Sequence, residues 1–161
     1  MTTPTGPYAL PLHYLREGLA ASAAFRTATG ANNAAAARPF VHYAAAPGNT
    51  RAPCAIVDVG SGWNADAHAA GGRNEFVVQG EVWCTLLLAV DPTKAEGEQD
   101  LAAYNAIGAI AADLLADAGK ADRLDITGLR IGAPLRPDEK LRASLGDYVQ
   151  ADMTITYRSF A

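Results

Sequence analysis

The stretch Glu75–Val90, EFVVQGEVWCTLLLAV, carries the strongest strand signal in the chain. Its even-numbered positions are almost wholly apolar, whereas its odd-numbered positions mix apolar and polar side chains. Because side chains alternate across a strand, the stretch predicts a strand with one apolar and one mixed face. At about 3.3 Å per residue it would run to roughly 50 Å. We therefore expect either a bend or bulge at Gly80 or a hairpin end that leaves the body of the domain.

An amphipathic helix is predicted directly after this strand. Asp100 is its expected N-cap and Gly119 its end, and apolar residues recur between them at spacings of three and four. The predicted apolar stripe consists of Leu101, Tyr104, Ile107, Ile110, Ala111, Leu114 and Leu115. We expect the fold to be built on this pair of strand and helix.

The remaining elements flank that pair. In order, the patterns predict a helix over 8–27 capped near Gly30, a linker over 31–37, strands over 38–45 and 53–59, and, after the central pair, strands over 124–131 and 148–158. Connections of hairpin length favour antiparallel pairing. The sequence thus predicts a single α+β domain over residues 1–161, with a mostly antiparallel sheet of about five strands and two main helices packed on one face.

Two segments lie outside these elements. MTTPTGP, residues 1–7, is polar and broken by proline, which is typical of a loose leader. GSGWNADAHAAGGRN, residues 60–74, is rich in glycine and alanine and predicts a loop. Because it joins two strands that can form a hairpin, we predict that it projects from the domain as an arm.

Composition argues against several classes of protein. A net charge of −4 argues against a chain that binds nucleic acid through a general positive charge. No apolar run reaches the roughly 18 residues of a membrane span, and the N-terminus lacks the basic and apolar regions of a signal peptide. Cys54 and Cys84 fall in strand-like segments without metal-ligand spacing, which favours inert buried thiols. Synthesis in the cytoplasm fits these features.

The motif closest to a cofactor site is GSGWNA, residues 60–65. It matches G-x-G-x-x-A directly after a strand, with Glu81 about 20 residues further on. A dinucleotide site requires this loop to open a helix whose N-terminus holds the pyrophosphate. Gly71 and Gly72 would break such a helix, and Glu81 falls inside a strand. We interpret the segment as a flexible loop and expect no cofactor; a small nucleotide-binding enzyme is the disfavoured alternative.

The other polar residues do not form a recognisable reactive set. His13, His42 and His68 are scattered over a helix, a strand and a loop. Asp113 and Asp117, one helical turn apart, are interpreted as the solvated face of an amphipathic helix in preference to a metal pair. We therefore expect a protein that is not an enzyme.

Apolar side chains outside the predicted core indicate an interface instead. Trp63 is predicted at a loop tip, and Trp83, with Val77 and Leu87, on the mixed face of the long strand. That face is too apolar for water, so either the helix over 8–27 or another subunit covers it. The C-terminal third leans basic, which is typical of a partner contact or of ordinary surface charge; its basic residues are Arg123, Arg130, Arg136, Lys140 and Arg142.

The order of these elements resembles the tail terminator, or tail-to-head joining, proteins of long-tailed bacteriophages. In that family a helix precedes a strand like ARPFVHYA, a Pro-led strand like RAPCAIVDVG and a loop. A long strand like NEFVVQGEVWCTLLLAV then leads into a helix like DLAAYNAIGAIAADLL, and the chain ends soon after a strand like YVQADMTITYRSF. The resemblance covers residues 8–160 and lies in the pattern of elements, without a short invariant motif.

This resemblance implies a structural virion protein, assembled in the host cytoplasm, with no active site and no cofactor. Copies would form a six-fold ring that caps the tail tube of the major tail protein and meets the head connector or stopper protein. Such a ring requires a heterologous interface, for which the candidates are Trp63, Val77, Trp83, Leu87, Arg130, Arg136 and Arg142. Another neck component of the same fold, such as a tail completion or head-closure protein, is the alternative.

The resemblance also implies that DNA passes through the bore of the ring without specific binding. Acidic side chains lining the bore would repel phosphate. The candidates are Glu75, Glu81, Glu96, Glu98, Asp138 and Glu139.

Overall fold

The computed structural model of the protein describes residues 6, 9–44, 51–70, 73–117, 124–137 and 147–160, with the backbone alone described for 66–70, 73–76, 117, 124 and 160. These ranges contain four α-helices and six strands: α1 Ala9–Ala21, α2 Ala23–Thr29, α3 Ala34–Ala37, β1 Val41–Tyr43, β2 Cys54–Val59, β3 Asn64–Ala70, β4 Arg73–Ala89, α4 Glu96–Asp117, β5 Leu124–Ile131 and β6 Tyr148–Phe160. A short 3₁₀-helix, Arg38–Phe40, precedes β1. The predicted α+β class is confirmed, although the sequence undercounts both strands and helices.

The sheet is mixed and mostly antiparallel. Its strand order is β1-β2-β4-β6-β5, and β3 pairs with β4 beyond the end of β2. Among the pairings between described strands, β1 with β2 is parallel and the others are antiparallel. β4 is therefore the central strand, hydrogen-bonded to β2 and β3 along one edge and to β6 along the other.

The long strand forms nearly as predicted, and it continues past its neighbour. β4 pairs with β6 without a shift of register from Ala89 to Val77, so this ladder has no bulge at Gly80. β6 ends at Phe160, opposite Val77. From Phe76 back to Arg73, β4 pairs with β3. β3 and the start of β4 thus form a two-stranded hairpin, here called the arm, that extends past the end of β6.

The segment predicted as a loop over 60–74 is mostly strand. Asn64–Ala70 pairs residue by residue with β4, from Gln79 to Arg73. Its alanines and polar residues have little preference for strands, so the pairing with β4 decides its structure. The loop prediction is wrong for β3 and for Arg73 and Asn74 at the start of β4.

The first predicted helix breaks at Ser22 into α1 and α2. The Ser22 hydroxyl accepts a hydrogen bond from the Phe25 backbone N–H at 3.1 Å and so caps α2. Gly30 ends α2 in the left-handed conformation, at φ 70°, as predicted. The linker prediction over 31–37 is wrong in part, because Asn33 caps the short helix α3.

The core lies between one face of the sheet and the helices. The even-numbered residues of β4 contribute Val82, Cys84, Leu86 and Leu88 to a single buried cluster. This is the face that the alternation of β4 predicts to be apolar. The helices supply the opposite wall, and their largest buried contributors include Leu19, Phe25, Ile107, Ile110 and Leu114.

Candidate functional site

The sheet face opposite the helices carries the odd-numbered residues of β4. Cross-strand pairing places Asp58, Trp83, Thr154 and Arg130 in one row on this face. The next row contains Ile56, Thr85 and Asp152. We call this surface the open face and define it by these residues and Glu81.

Trp83 is the dominant side chain of the open face. It is 48% exposed, yet its indole packs against the backbone at Gly60. A Cβ added at Gly60 would lie 2.7 Å from Trp83 Nε1 and 2.7 Å from the Glu81 carbonyl oxygen. Glycine at position 60 therefore lets the indole lie against the β2–β3 connection. A large aromatic held in place before binding loses little conformational freedom when a partner covers it.

A shallow groove runs beside Trp83. Its volume is about 420 Å³, and Trp83, Thr85, Asp152 and Thr154 are among the residues that line it. The Thr85 hydroxyl donates to Asp152 Oδ1 at 2.8 Å, and the Gln150 amide donates to the same oxygen at 3.2 Å. The groove thus has the indole of Trp83 on one side and the carboxylate of Asp152, held by two hydrogen bonds, on the other.

The structure brings together two residues that were predicted for different roles. Arg130 Nη2 lies 3.0 Å from Glu81 Oε1 on the open face. Glu81 Oε2 also accepts a hydrogen bond from the Ser61 hydroxyl at 3.2 Å. The charge of Glu81 is therefore compensated within the chain.

Trp63 does not lie at a loop tip, so the prediction of its position is wrong. Its ring lies on the helix side of the sheet, against Gly80 and edge-on to Tyr157, with centroids 5.5 Å apart and planes at 69°. The indole Nε1–H donates to the Gly60 carbonyl at 3.0 Å. Trp63 therefore packs inside its own chain, where it anchors the start of β3.

The two aliphatic interface candidates differ in burial. Leu87, predicted as a contact residue, is 6% exposed and forms a small cluster with Cys54 and Tyr148, so it is buried within its own chain. Val77 is half-buried and lies at the base of the arm, opposite Phe160. Leu135, which the sequence did not single out, is 58% exposed and bridges to the backbone of Gln150.

Arg136 has a role inside the chain that the sequence did not reveal. Its guanidinium lies 2.7 Å from Asp100 Oδ1 and donates to Gln99 Oε1 at 3.1 Å and to the Glu96 carbonyl at 3.2 Å. It therefore ties the segment after β5 to the first turns of α4. Glu96 and Glu98 are exposed in the first turn of this helix, where carboxylates favour its dipole.

Several predicted residues fall outside what the structure describes. Arg123, Asp138, Glu139, Lys140 and Arg142 lie outside the described residues, and the side chains of Glu75, His68 and Asp117 lie outside the described side chains. Their predicted roles stay predictions.

The glycines of GSGWNA have structural reasons to be present. Gly62 has φ +71°, a backbone conformation that favours glycine. At Gly60, a Cβ would collide with the indole of Trp83. Since β3 follows the loop, the loop does not open the helix on which a dinucleotide site depends. The segment connects two strands that run along the same edge of β4.

The remaining candidates for chemistry are buried or dispersed. Burial raises the pKa of the Cys84 thiol, with a further contribution from Asp152, and burial also raises that of Cys54. A higher pKa reduces the reactive thiolate at neutral pH. Within the described parts of the chain, no three His, Cys, Asp or Glu side chains are grouped so that they could hold a metal ion.

Comparison with known proteins gives no family. No protein-family model matches the chain, and no curated protein matches it in sequence. None of the helices in the described ranges has the length and apolarity needed to cross a membrane. A functional assignment therefore depends on the order of the elements and on the geometry of the open face.

Proposed function

We propose that the chain is a structural protein of the neck of a long-tailed bacteriophage, in which a six-fold ring of copies terminates the tail tube and joins it to the head. The open face of each copy contacts a different surface of the next copy, as a six-fold ring requires. The central observation is the half-exposed Trp83, held against Gly60 on a sheet whose other face is already covered by helices.

The composition of the open face supports a contact with protein. An antiparallel sheet that faces water usually presents polar side chains on that side. Here Trp83 and Ile56 lie among Asp58, Thr154 and the ion pair of Glu81 with Arg130. An aromatic centre surrounded by polar groups is the usual anatomy of a protein interface.

The arm supports a second contact, along the axis of the ring. β3 pairs with β4 along one edge, and beyond Phe160 the other edge of β4 extends past β6. Strand edges that lack a partner within a sheet are ready to pair with another chain. We assign the arm to the junction with the tube or the connector, and the open face to the contact between copies.

The charge of the bore follows from the same assignment. Among the acidic candidates with described side chains, Glu81 is paired with Arg130 and Glu96 lies 3.5 Å from Arg136, whereas Glu98 is exposed. Glu98 is therefore our candidate for a residue that repels phosphate along the path of the DNA.

A genetic experiment tests this proposal in the phage that encodes the chain. Trp83→Arg places a charge in the proposed interface, and Val59→Arg is the control that adds the same charge, because Val59 is an exposed apolar residue on the helix side of the sheet. We expect Trp83→Arg to give unjoined heads and tails of uncontrolled length in electron micrographs. Normal virions from Trp83→Arg, or equal failure of both folded variants, would contradict the proposal.

A further inference from the structure

A second uncovered surface lies on the outer side of α4. We propose that two copies of this chain pair through this surface, with their α4 helices antiparallel about a two-fold axis at Gly108. The surface, here called the α4 stripe, consists of Leu101, Tyr104, Gly108, Ala112 and Leu115. This inference does not depend on the proposed function.

The α4 stripe is apolar and exposed in the single chain. Leu101 is 61% exposed, Tyr104 46% and Leu115 50%. The helix residues that pack against the rest of the domain lie on another side, at Ile107 and Ile110 among others. No charged residue occurs between Asp100 and Asp113. Since the outward side of a surface helix is normally polar, this surface is suited to a partner.

The spacing of the stripe identifies a second copy as the partner. Leu101 and Leu115 lie equally far from Gly108 along the sequence, and so do Tyr104 and Ala112. In an antiparallel pair centred on Gly108, Leu101 of each copy therefore meets Leu115 of the other. Each Tyr104 likewise meets an Ala112, a large side chain against a small one. Such self-complementarity is what a two-fold contact requires.

Gly108 itself gives a separate reason for close approach. A Cβ added there would meet nothing within 4 Å in its own chain, so the domain does not need glycine at this position. Glycine in the middle of a helix is less stable than alanine. Its benefit is that the backbone of another helix can approach closely, and the two helices come nearest to each other at the axis.

The size of the stripe sets the strength of the pairing. From Leu101 to Leu115 it spans about 21 Å of helix at 1.5 Å per residue. A single pair of helices of this length buries less than the roughly 1,200 Å² of a stable interface. The dimer is therefore weak and concentration-dependent. It leaves Trp83 free, because the open face lies on the other side of the sheet from the helices.

Cysteine cross-linking of the full chain tests the geometry. The two native thiols, Cys54 and Cys84, are buried, so an exposed new thiol is the site that a mild oxidant reaches. A disulfide requires Cα atoms about 4.4–6.8 Å apart, and residues at a two-fold axis meet their own copies. We expect Gly108→Cys to form a covalent dimer at least tenfold faster than Asn105→Cys or Ala109→Cys, which are exposed positions beside the stripe. Equal rates would overturn the proposal.

Sedimentation velocity over a concentration series provides the second measurement. We expect the native chain to shift reversibly from monomer to dimer, Leu101→Arg to weaken the dimer at least tenfold, and Ala102→Arg, on a neighbouring exposed position, to leave it unchanged. A dimer that survives Leu101→Arg, or none up to several hundred micromolar, would overturn the inference. We expect Trp83→Arg to leave the α4 dimer intact. A failure of the dimer inference can therefore be distinguished from a failure of the ring proposal.

Discussion

The indole of Trp63 lies directly over Gly80 on β4: a Cβ added to this glycine would be 3.1 Å from Trp63 Cδ2. The contact occurs where β4 changes its hydrogen-bonding partner along one edge. Pairing with β2 ends at Val82 of β4, and pairing with β3 begins at Gln79 of β4. Trp63 also reaches Tyr157 on β6. The base of the arm is therefore fixed by packing against the body of the domain.

Substitutions at two glycines test this packing. Gly80→Ala places a Cβ 3.1 Å from the packed Trp63 ring, which must move by a few tenths of an ångström. We therefore expect a loss of about 1–2 kcal/mol in the free energy of unfolding. Gly60→Ala crowds the Glu81 carbonyl at 2.7 Å, and we expect a larger loss, about 3 kcal/mol. Urea denaturation measures both. Gly97→Ala, with nothing within 4 Å of the added Cβ, is the control. Equal stability of all three variants would show that neither contact constrains the fold.

The link between α2 and α4 gives a second prediction. The Ser22 hydroxyl donates to Asp113 Oδ2 at 2.7 Å, and the same oxygen accepts the Ala24 backbone N–H at 3.2 Å. We expect Ser22→Ala to cost about 1–2 kcal/mol, because it removes the cap of α2 as well as the link. Thr27→Ala removes an exposed hydrogen bond within α2 and should change stability by less than about 0.5 kcal/mol. Chemical denaturation measures both, and equal effects would contradict this role of Ser22.

His42 gives a prediction about pH. Burial lowers the pKa of His42 below its ordinary value of 6.5. The unfolded chain therefore binds this proton more readily, and stability falls as the pH drops from about 6.5 towards the lower pKa of the folded state. We expect His42→Gln to flatten the fall of the urea midpoint between about pH 6.5 and pH 5. An unchanged slope would contradict burial as the cause.

The carboxylates act in a separate range of pH. A hydrogen bond from Arg38 lowers the pKa of Glu17 below 4.5, and one from Ser22 lowers that of Asp113 below 3.8. Their stabilisation is complete above those values and is lost as the pH falls through the lower values of the folded state. The effects of Glu17 and Asp113 on stability therefore occur at lower pH than the effect predicted for His42.

The arm gives a prediction that separates folding from assembly. A simple deletion of residues 62–71 would shorten the arm, but it would also remove Trp63 and most of β3. A smaller change is therefore needed to test the arm. Replacing residues 67–76 by Asn-Gly keeps Asp66 opposite Val77, where they are already paired, and supplies a hairpin turn. We expect the midpoint of thermal unfolding to change little, since Trp63 is retained, while phage carrying the variant yields unjoined heads and tails. A normal titre from this variant would remove the arm from the junction.

Local patterns in the sequence predict the elements that carry their own signal. The alternation of β4 and its buried even-numbered face are confirmed, as is Gly30 at the end of α2. The outcome for α4 is mixed, because the sequence groups Leu101, Tyr104 and Leu115 with the buried stripe and the structure exposes them. Apolar residues occur all round this helix, so the period alone does not identify its inner side.

Other features depend on residues that are distant in sequence. The break at Ser22 involves Asp113, and the role of Arg136 involves Asp100, far apart along the chain in both cases. β3 contains mostly alanine and polar residues, and pairing with β4 makes it a strand. Of the candidate site, Trp83 was predicted from the mixed face of β4, whereas the contact of its indole with Gly60 requires the fold.

Photo-cross-linking at residue 83 tests the contact between copies most directly. A photoreactive phenylalanine analogue replaces Trp83, particles that contain the chain are irradiated, and the products are separated by mass under denaturing conditions. We expect a ladder of multiples of this chain that ends at six copies. Particles in which the chain is present but residue 83 links to no second copy would contradict the account, as would products that end at the dimer.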